Sequence, residues 1–513
     1  MEAIVSHLGV GLSAVLALEP VTLLGHAVSL PMNVVYCMMG AMIGTLIGVL
    51  PGLGPVATIA MLLPATFTLP PLGGLIMLSG IYYGAQYGGS TTAILVNLPG
   101  EMASVVTCID GYQMARRGRA GVALTTAALG SFAAGCVGTL LLAAFAPPLA
   151  GVAFRFGPAE YSSLIVMGLF GAIALSSGAV LKSIAMILLG LLLGIVGTDI
   201  STGVPRFTFG IKALYDGIGF VVVAMGVFGY ADVIANLEQG ETREIFTRAV
   251  GGMFPSRADF KRMIAPILRG TALGSALGIL PGGGAVLASF GAYALEKKVG
   301  RHRAELGHGA IEGVAGPESA NNAAAQTSFI PLLTLGLPAN AVMALMVGAM
   351  MIHNIQPGPL VMSSDPTLFW GLIVSMWVGN LMLVVLNIPL IGIWVRLLTV
   401  PYRFLYPAIL VFCCIGVYTV SYSTLDIVLT VAFGVLGYVF IKLGCEGAPL
   451  LLGLVLGPML EEYVRRALVL SDGSFSIFFT RPISLGLLLV TAVFAIGVAV
   501  PAIRSSRQEA FHA

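Results

Sequence analysis

Charge is what this chain has least of. Lys, Arg, Asp and Glu make up 9% of its 513 residues, against about 25% in an ordinary soluble domain. With 58% hydrophobic residues and a mean hydropathy of +0.98, too little polar surface remains to cover a water-soluble globule. A polytopic membrane protein in a lipid bilayer is implied. The formal net charge of +2 is uninformative, and no nucleic-acid partner is expected. Cysteine is scarce as well. Cys37, Cys108, Cys136, Cys413, Cys414 and Cys445 lie in or beside apolar stretches without CxxC spacing and read as small packing residues. His308 and His353 are isolated, so no transition-metal site is expected. There is no GxxxxGK[ST] phosphate loop, so no ATPase drives the chain directly. The start, Met1-Glu-Ala-Ile-Val-Ser-His, lacks the basic stretch of a signal peptide.

Glycine and proline, by contrast, number 66 and 28. They are not scattered evenly. Gly44-Thr-Leu-Ile-Gly-Val-Leu-Pro-Gly-Leu-Gly-Pro55 returns 230 positions later as Gly274-Ser-Ala-Leu-Gly-Ile-Leu-Pro-Gly-Gly-Gly-Ala285. Proline removes a donor and clashes with the preceding turn, and glycine then permits a sharp bend. In lipid, a broken helix is tolerated only where its freed backbone groups are buried in protein or line a polar cavity. The duplicated break therefore points to a binding site at membrane depth.

A spanning helix takes about 20 residues. The chain reads as all-α, with about ten to twelve transmembrane helices, some broken. Basic loops mark the cytoplasmic side: Arg116–Arg119, Leu237–Arg262 and Lys297–Arg303. The loops Leu63–Gly74 and Met351–Leu368 carry no Lys or Arg and are expected outside. Gly284–Glu296 is too short to cross about 30 Å of hydrocarbon, and both arms of its unit reach basic loops. That describes a re-entrant hairpin with Pro281, Gly282 and Gly284 at its tip. The first hairpin, with tip residues Pro51, Gly52 and Gly54, is expected to enter from the opposite side. Second breaks follow at Leu98-Pro-Gly100 and Leu337-Pro-Ala339. The arrangement is a pair of inverted-topology repeats. It divides the chain into a first half (1–236; broken helix 80–100), a cytoplasmic loop (237–262), an inverted second half (263–422; broken helix 313–338) and C-terminal helices (423–513).

Between the breaks lie stretches unusually polar for membrane depth, 80–100 in the first half and 313–327 in the second, which the sequence places in matching positions. Half-helix N-termini suit a carboxylate, and unwound carbonyls with side-chain oxygens suit Na⁺. The candidate substrate residues are Ser90, Thr91, Thr92, Asn97, Ser319, Asn321 and Asn322. The candidate cation residues are Gly52, Gly89, Asn97, Gly282, Glu318 and Asn322. A plainer role is open to each: Ser and Thr can bond their own helix, and Asn can join helices. Glu318 is the deepest acid. It can hold a cation or proton, or cap a half-helix starting after Pro317. Asp110-Gly111 reads as a turn or cap. No acid pair or metal cluster supports a catalytic residue. An intramembrane enzyme acting on a lipid-linked substrate and a passive channel are the alternatives to a transporter.

Several motifs together carry a resemblance: Gly48–Pro55, Tyr83-Gly-Ala-Gln-Tyr-Gly-Gly-Ser-Thr-Thr-Ala-Ile-Leu95, Asn97-Leu-Pro-Gly100, Asp110–Arg116, Arg206-Phe-Thr-Phe-Gly210, Gly278–Gly284, Glu312–Ala323, Thr334–Pro338 and Leu454–Glu462 with Arg465 and Arg466. Across nearly its whole length the chain resembles the large membrane subunit of the tripartite tricarboxylate transporter family. The resemblance implies a secondary symporter in the bacterial inner membrane that takes up citrate or another organic carboxylate. It implies Na⁺, or else H⁺, as coupling ion, no covalent cofactor, a small four-helix membrane subunit, and a periplasmic solute-binding protein. Glu101 departs from the family pattern, where a small or hydroxyl residue is usual, and Ala339 stands where Gly is common.

Overall fold

The structure, a computed structural model, describes residues 2–23, 26–50, 54–175, 179–199, 202–238, 252–280, 284–397 and 402–512. The fold is all-α apart from two short antiparallel ribbons, Glu19–Leu23 with His26–Leu30 and Gly197–Thr198 with Pro205–Arg206. Among the described residues, five helices are long and apolar enough to cross a membrane: Ala120–Ala153, Phe220–Glu238, Pro366–Asn387, Thr424–Lys442 and Gly447–Leu470. Seven shorter apolar helices of 10–17 residues accompany them. The chain is a polytopic membrane protein.

The first break separates Met32–Gly48 from Pro55–Thr66, and the second separates Arg257–Ile279 from Gly284–Val299. The tip residues Pro51 and Gly52, and Pro281 and Gly282, lie outside the described residues. Gly54 precedes the first return arm as its N-cap. Gly284 opens the second return arm with φ +50, a backbone state that glycine reaches freely. The helices after the two breaks, Pro55–Thr66 and Gly284–Val299, have 12 and 16 residues, or about 18 and 24 Å at 1.5 Å per residue.

Each incoming arm lies along a long polar helix through a ladder of glycines. On Met32–Gly48, a Cβ added to Gly44 would stand 2.8 Å from Ile81 Cα, and one on Gly48 would stand 2.7 Å from Ala85 Cα. On Arg257–Ile279, a Cβ on Gly274 would meet Ala320 Cα at 2.7 Å, and one on Gly278 would meet Ala324 Cα at 2.6 Å. Residues four apart share a helix face, so bare glycine edges let the backbones touch, as in small-residue membrane packing. The matched residues rise together along both helices, so each pair runs parallel.

This packing sets the internal register. The arms correspond at an offset of 230 residues, and their partners (81 with 320, 85 with 324) at 239. At that second offset Pro99 falls on Pro338 and Asn97 on Gly336. Asn97 and Gly336 are left-handed helix ends, with φ of 58 and 73. Glu101 and Asn340 follow as extended N-cap residues. The register also corrects the match read from the sequence: 313–327 pairs with 74–88, not with 80–100. Polar content misled there, because the hydroxyls of the first half sit nearer its break.

The two polar helices, Pro71–Val96 and Glu312–Thr327, cross with opposed chain directions. Tyr83 meets Phe329 with ring centroids 6.3 Å apart, while Ser90 reaches back to Glu318. Pro71–Val96 is continuous helix, so its break is confined to Asn97–Gly100. Pro317 sits inside Glu312–Thr327, so Glu318 caps no half-helix, contrary to one reading of the sequence. Pro317 is the sixth residue of that helix, so the Gly313 carbonyl loses its intrahelical donor there, yet the helix runs on through it.

The longest helix, Ala120–Ala153, has 34 residues and touches both halves. Its glycine edge approaches the second half most closely: Gly130 faces Ser319 and Gly138 faces Gln326. The C-terminal helices do not stand apart. Gly447–Leu470 packs on Val180–Gly194 through Gly453 and Gly190, and Thr424–Lys442 packs on Met225–Tyr230 through Gly434. Pro482–His512 meets Pro158–Leu175, where the Ser163 and Ser484 hydroxyls are 2.7 Å apart.

Candidate functional site

The crossing of the two polar helices gathers four of the sequence candidates, Ser90, Glu318, Asn321 and Asn322. Glu318, 1% exposed, accepts hydrogen bonds from Ser90 Oγ at 2.5 Å and from Thr107 Oγ1. Asn322 Nδ2 donates to Ser131 Oγ at 2.7 Å and to the Glu318 carbonyl at 3.1 Å. One residue earlier, Asn321 Nδ2 donates to Glu101 Oε1 at 3.1 Å. The amide oxygens of both asparagines are buried without a hydrogen-bond partner. A small cavity beside them is lined by Tyr87, Ser90, Thr91, Ser131 and Asn387, among others.

Burying a carboxylate is costly unless it is paired. Other buried acids here have partners. Glu296 is held by Arg269, Glu312 by Arg262 and Glu160 by Arg481. Among the described residues, neither Glu101 nor Glu318 has a Lys or Arg within ion-pair distance. The hydroxyls and amides around Glu318 are the ligand types suited to a hard, weakly charged cation. A metal centre of three or more His, Cys, Asp or Glu is absent among the described residues.

The remaining candidates are placed differently. Thr92 Oγ1 donates to the Val49 carbonyl at 2.7 Å, tying the polar helix to the chain just past the end of Met32–Gly48. Gly89 lies against Gly100 and Glu101, so the break at Asn97–Gly100 folds back on its own helix. Thr91 Oγ1 and Ser319 Oγ donate to carbonyls one turn back, of Tyr87 and Ala315; Ser319 thus takes the plainer role. Asn97 is exposed and serves through its left-handed backbone, away from the cluster.

Asp110 is not in a turn. It lies within Val105–Arg116, and its carboxylate accepts from the N–H groups of Gly307, Gly309 and Ala310 at 2.7–3.0 Å and from Tyr293 Oη at 2.9 Å. It fastens the loop that leads into Glu312–Thr327. On the same face Arg262 bridges Glu305 and Glu312; the guanidinium beside it holds the Glu305 carboxyl below its ordinary range.

A family model described as the tripartite tricarboxylate transporter TctA family matches residues 34–452. The chain belongs to this family. A relative from Agrobacterium vitis, described as an uncharacterized 52.8 kDa protein in the TAR-I ttuC' 3' region, is 59% identical over 481 residues, covering 94% of this chain and 96% of its own. A second A. vitis protein, from the TAR-II ttuC' 3' region, is 59% identical over 238 residues, covering 46% of this chain and 98% of its own. No solved structure matches. The family is one of transporters, and this TctA-family chain is the large membrane subunit of such a system.

Sequence reasoning missed Thr107 and Ser131 as partners of the TctA-family cluster, and named Glu101 only as a departure from pattern. Thr107 and Glu101 lie just past the break, where a half-helix restarts, so their place beyond Pro99 was the available signal. Ser131 sits in a long apolar helix. A hydroxyl there ordinarily bonds its own backbone, and nothing in the sequence sets it apart.

Proposed function

We propose that this subunit carries out secondary active uptake of an organic carboxylate, a tricarboxylate or another acid, driven by a cation gradient, with Na⁺ as coupling ion and H⁺ as the alternative. The observation that carries the reading is the crossing itself. Glu318 is buried without a basic partner, among the hydroxyls of Ser90, Thr107 and Ser131 and the unpartnered amide oxygens of Asn321 and Asn322. A carboxylate in such a setting calls for a neutralising cation. The two breaks supply half-helix N-termini at Glu101 and Asn340, whose N–H groups suit the anionic substrate. The hairpins are proposed as re-entrant, entering from opposite faces, because their return arms are short and their flanking loops differ in basic charge. A small four-helix subunit and a periplasmic solute-binding protein are the proposed partners, and the bacterial inner membrane is the proposed site.

The test is reconstitution of the membrane subunits in liposomes with the binding protein outside. Uptake of the acid held by the binding protein should follow an imposed Na⁺ gradient. Ser90→Ala and Asn321→Ala should each abolish uptake while eluting as folded protein in detergent. Uptake that ignores both Na⁺ and proton gradients, or wild-type uptake by both variants, would sink the proposal.

A further inference from the structure

The internal register sets Asn340 against Glu101, Tyr82 against Asn321 and Gln86 against Ala325. The two breaks therefore meet the opposite polar helix at equivalent corners. At the first, Glu101 is bonded to Asn321. At the second, the side chains of Ser328, Gln86 and Asn340 stand beside the Tyr82 hydroxyl. Gln86 is fully buried, and neither end of its amide has a hydrogen-bond partner among the described residues. Asn340 Nδ2 is buried without a partner as well. Its Oδ1 already accepts from Met343 N–H at 3.0 Å, so a donor is what Asn340 has left to offer. Asn340 caps Ala341–Ile352, a helix of 12 residues whose first N–H groups have no intrahelical partner. A Cβ on Gly284 would stand 3.9 Å from Asn340 Nδ2, so the start of Gly284–Val299 lies against the same amide. Buried donors left unmade are costly. A carboxylate answers them, because its two oxygens accept several hydrogen bonds at once and suit the positive end of a helix.

We propose that Gln86, Asn340 and the start of Ala341–Ile352 seat one carboxylate of the transported acid. The inference rests on the symport reading above and deepens it: of the two breaks, only the second takes the anion. After the first break the equivalent place is filled by Glu101, whose side chain brings acceptor oxygens of its own and is committed to Asn321. The helical turn it opens, Met102–Ser104, has three residues only. The corners thus divide the work by chemistry. Acceptors gather around Glu318, where a cation is called for, and donors gather around Gln86, where an anion is. The two seats are neighbours on one helix. Ser90, bonded to Glu318, lies one turn beyond Gln86, with its Oγ 3.1 Å from the Gln86 carbonyl oxygen. One turn is about 6 Å along the axis, so a cation held at Glu318 attracts the carboxylate across a short, dry gap.

Thermal unfolding of the purified full-length subunit in NaCl, with acetate, succinate and citrate added in turn, reads the seat directly. At least one of these acids should raise the unfolding temperature of the wild type. Asn340→Asp keeps the helix cap, because Asp serves as well there, but exchanges the spare donor for an acceptor. Its unfolding temperature without acid should match the wild type, while its half-saturating acid concentration should rise about tenfold or more. Gln86→Leu removes the other amide and should weaken binding by a similar factor; should it fail to fold, Asn340→Asp decides alone. Wild-type affinity in Asn340→Asp, or a wild type that responds to none of the three acids, overturns the proposal. If both variants lose binding while wild-type uptake in liposomes follows neither a Na⁺ nor a proton gradient, the seat stands and the symport reading fails.

Discussion

Replacing Asp110 should loosen a loop some 200 residues away in sequence. Its carboxylate accepts three backbone N–H groups, from Gly307, Gly309 and Ala310. Hydrogen bonds to a charged group contribute about 1.5–3 kcal/mol each. They share one carboxylate, so they do not sum independently, and Asp110→Ala should cost about 4 kcal/mol, near the top of the range for one substitution. Asp110→Asn keeps one acceptor oxygen and turns an NH₂ toward the same donors, for a loss of about 2 kcal/mol. Hydrogen exchange by mass spectrometry in detergent resolves where the loss falls. For Asp110→Asn, amides of residues 303–312 should exchange about 30-fold faster, while those of Pro71–Val96 stay protected. Gly313→Ala should act similarly, because an added Cβ would stand 2.7 Å from the Asp110 carboxyl carbon. Unchanged exchange at 303–312 in Asp110→Ala would refute the reasoning.

Two further outcomes follow from the duplicated backbone. Gly44→Val and Gly274→Val should each force an incoming arm off its polar helix, at about 1–3 kcal/mol of overpacking, and thermal unfolding in detergent should show comparable losses for both. At the left-handed helix ends, Asn97→Gly should be neutral or slightly stabilising, whereas Gly336→Ala should cost more than about 1 kcal/mol, because its Cβ would also meet the Pro357 carbonyl oxygen at 2.7 Å; the same melts check both.

How far the fold was legible depended on which force set each element. Composition gave the membrane class, because few charges can be buried in lipid whatever the topology. Proline marked the breaks at Pro99 and Pro338, because its backbone effect is local. The register between halves was not legible from polar residues, because it is held by contacts of Gly44 and Gly48, and of Gly274 and Gly278, with backbones that carry no chemical label. Continuous helix through Gly84 and Gly88 was hidden for the same reason: they face the glycine edge of Met32–Gly48 at Gly44 and Gly48. Asp110 looked like a turn because Asp-Gly usually is one, and its true partners are remote in sequence. Ser90, Asn321 and Glu318 could be named from their rarity at membrane depth. That Ser90 would bond Glu318 while Ser319 turned to its own helix is a matter of facing, which a sequence of unknown register does not give.

The Ala120–Ala153 helix has a mechanical consequence. At 34 residues it measures about 51 Å against about 30 Å of hydrocarbon, so it outreaches the bilayer unless steeply inclined. It is held to the second polar helix by side-chain bonds, Asn322 to Ser131 and Thr139 to Gln326, but it meets the first across a small cavity bordered by Ala127, Ala128 and Thr91. If the two halves slide past one another, this helix can follow only one of them. Bonded on one side and smooth on the other, it would travel with the second half as a runner against the first. Its excess length would keep the seam covered through the stroke.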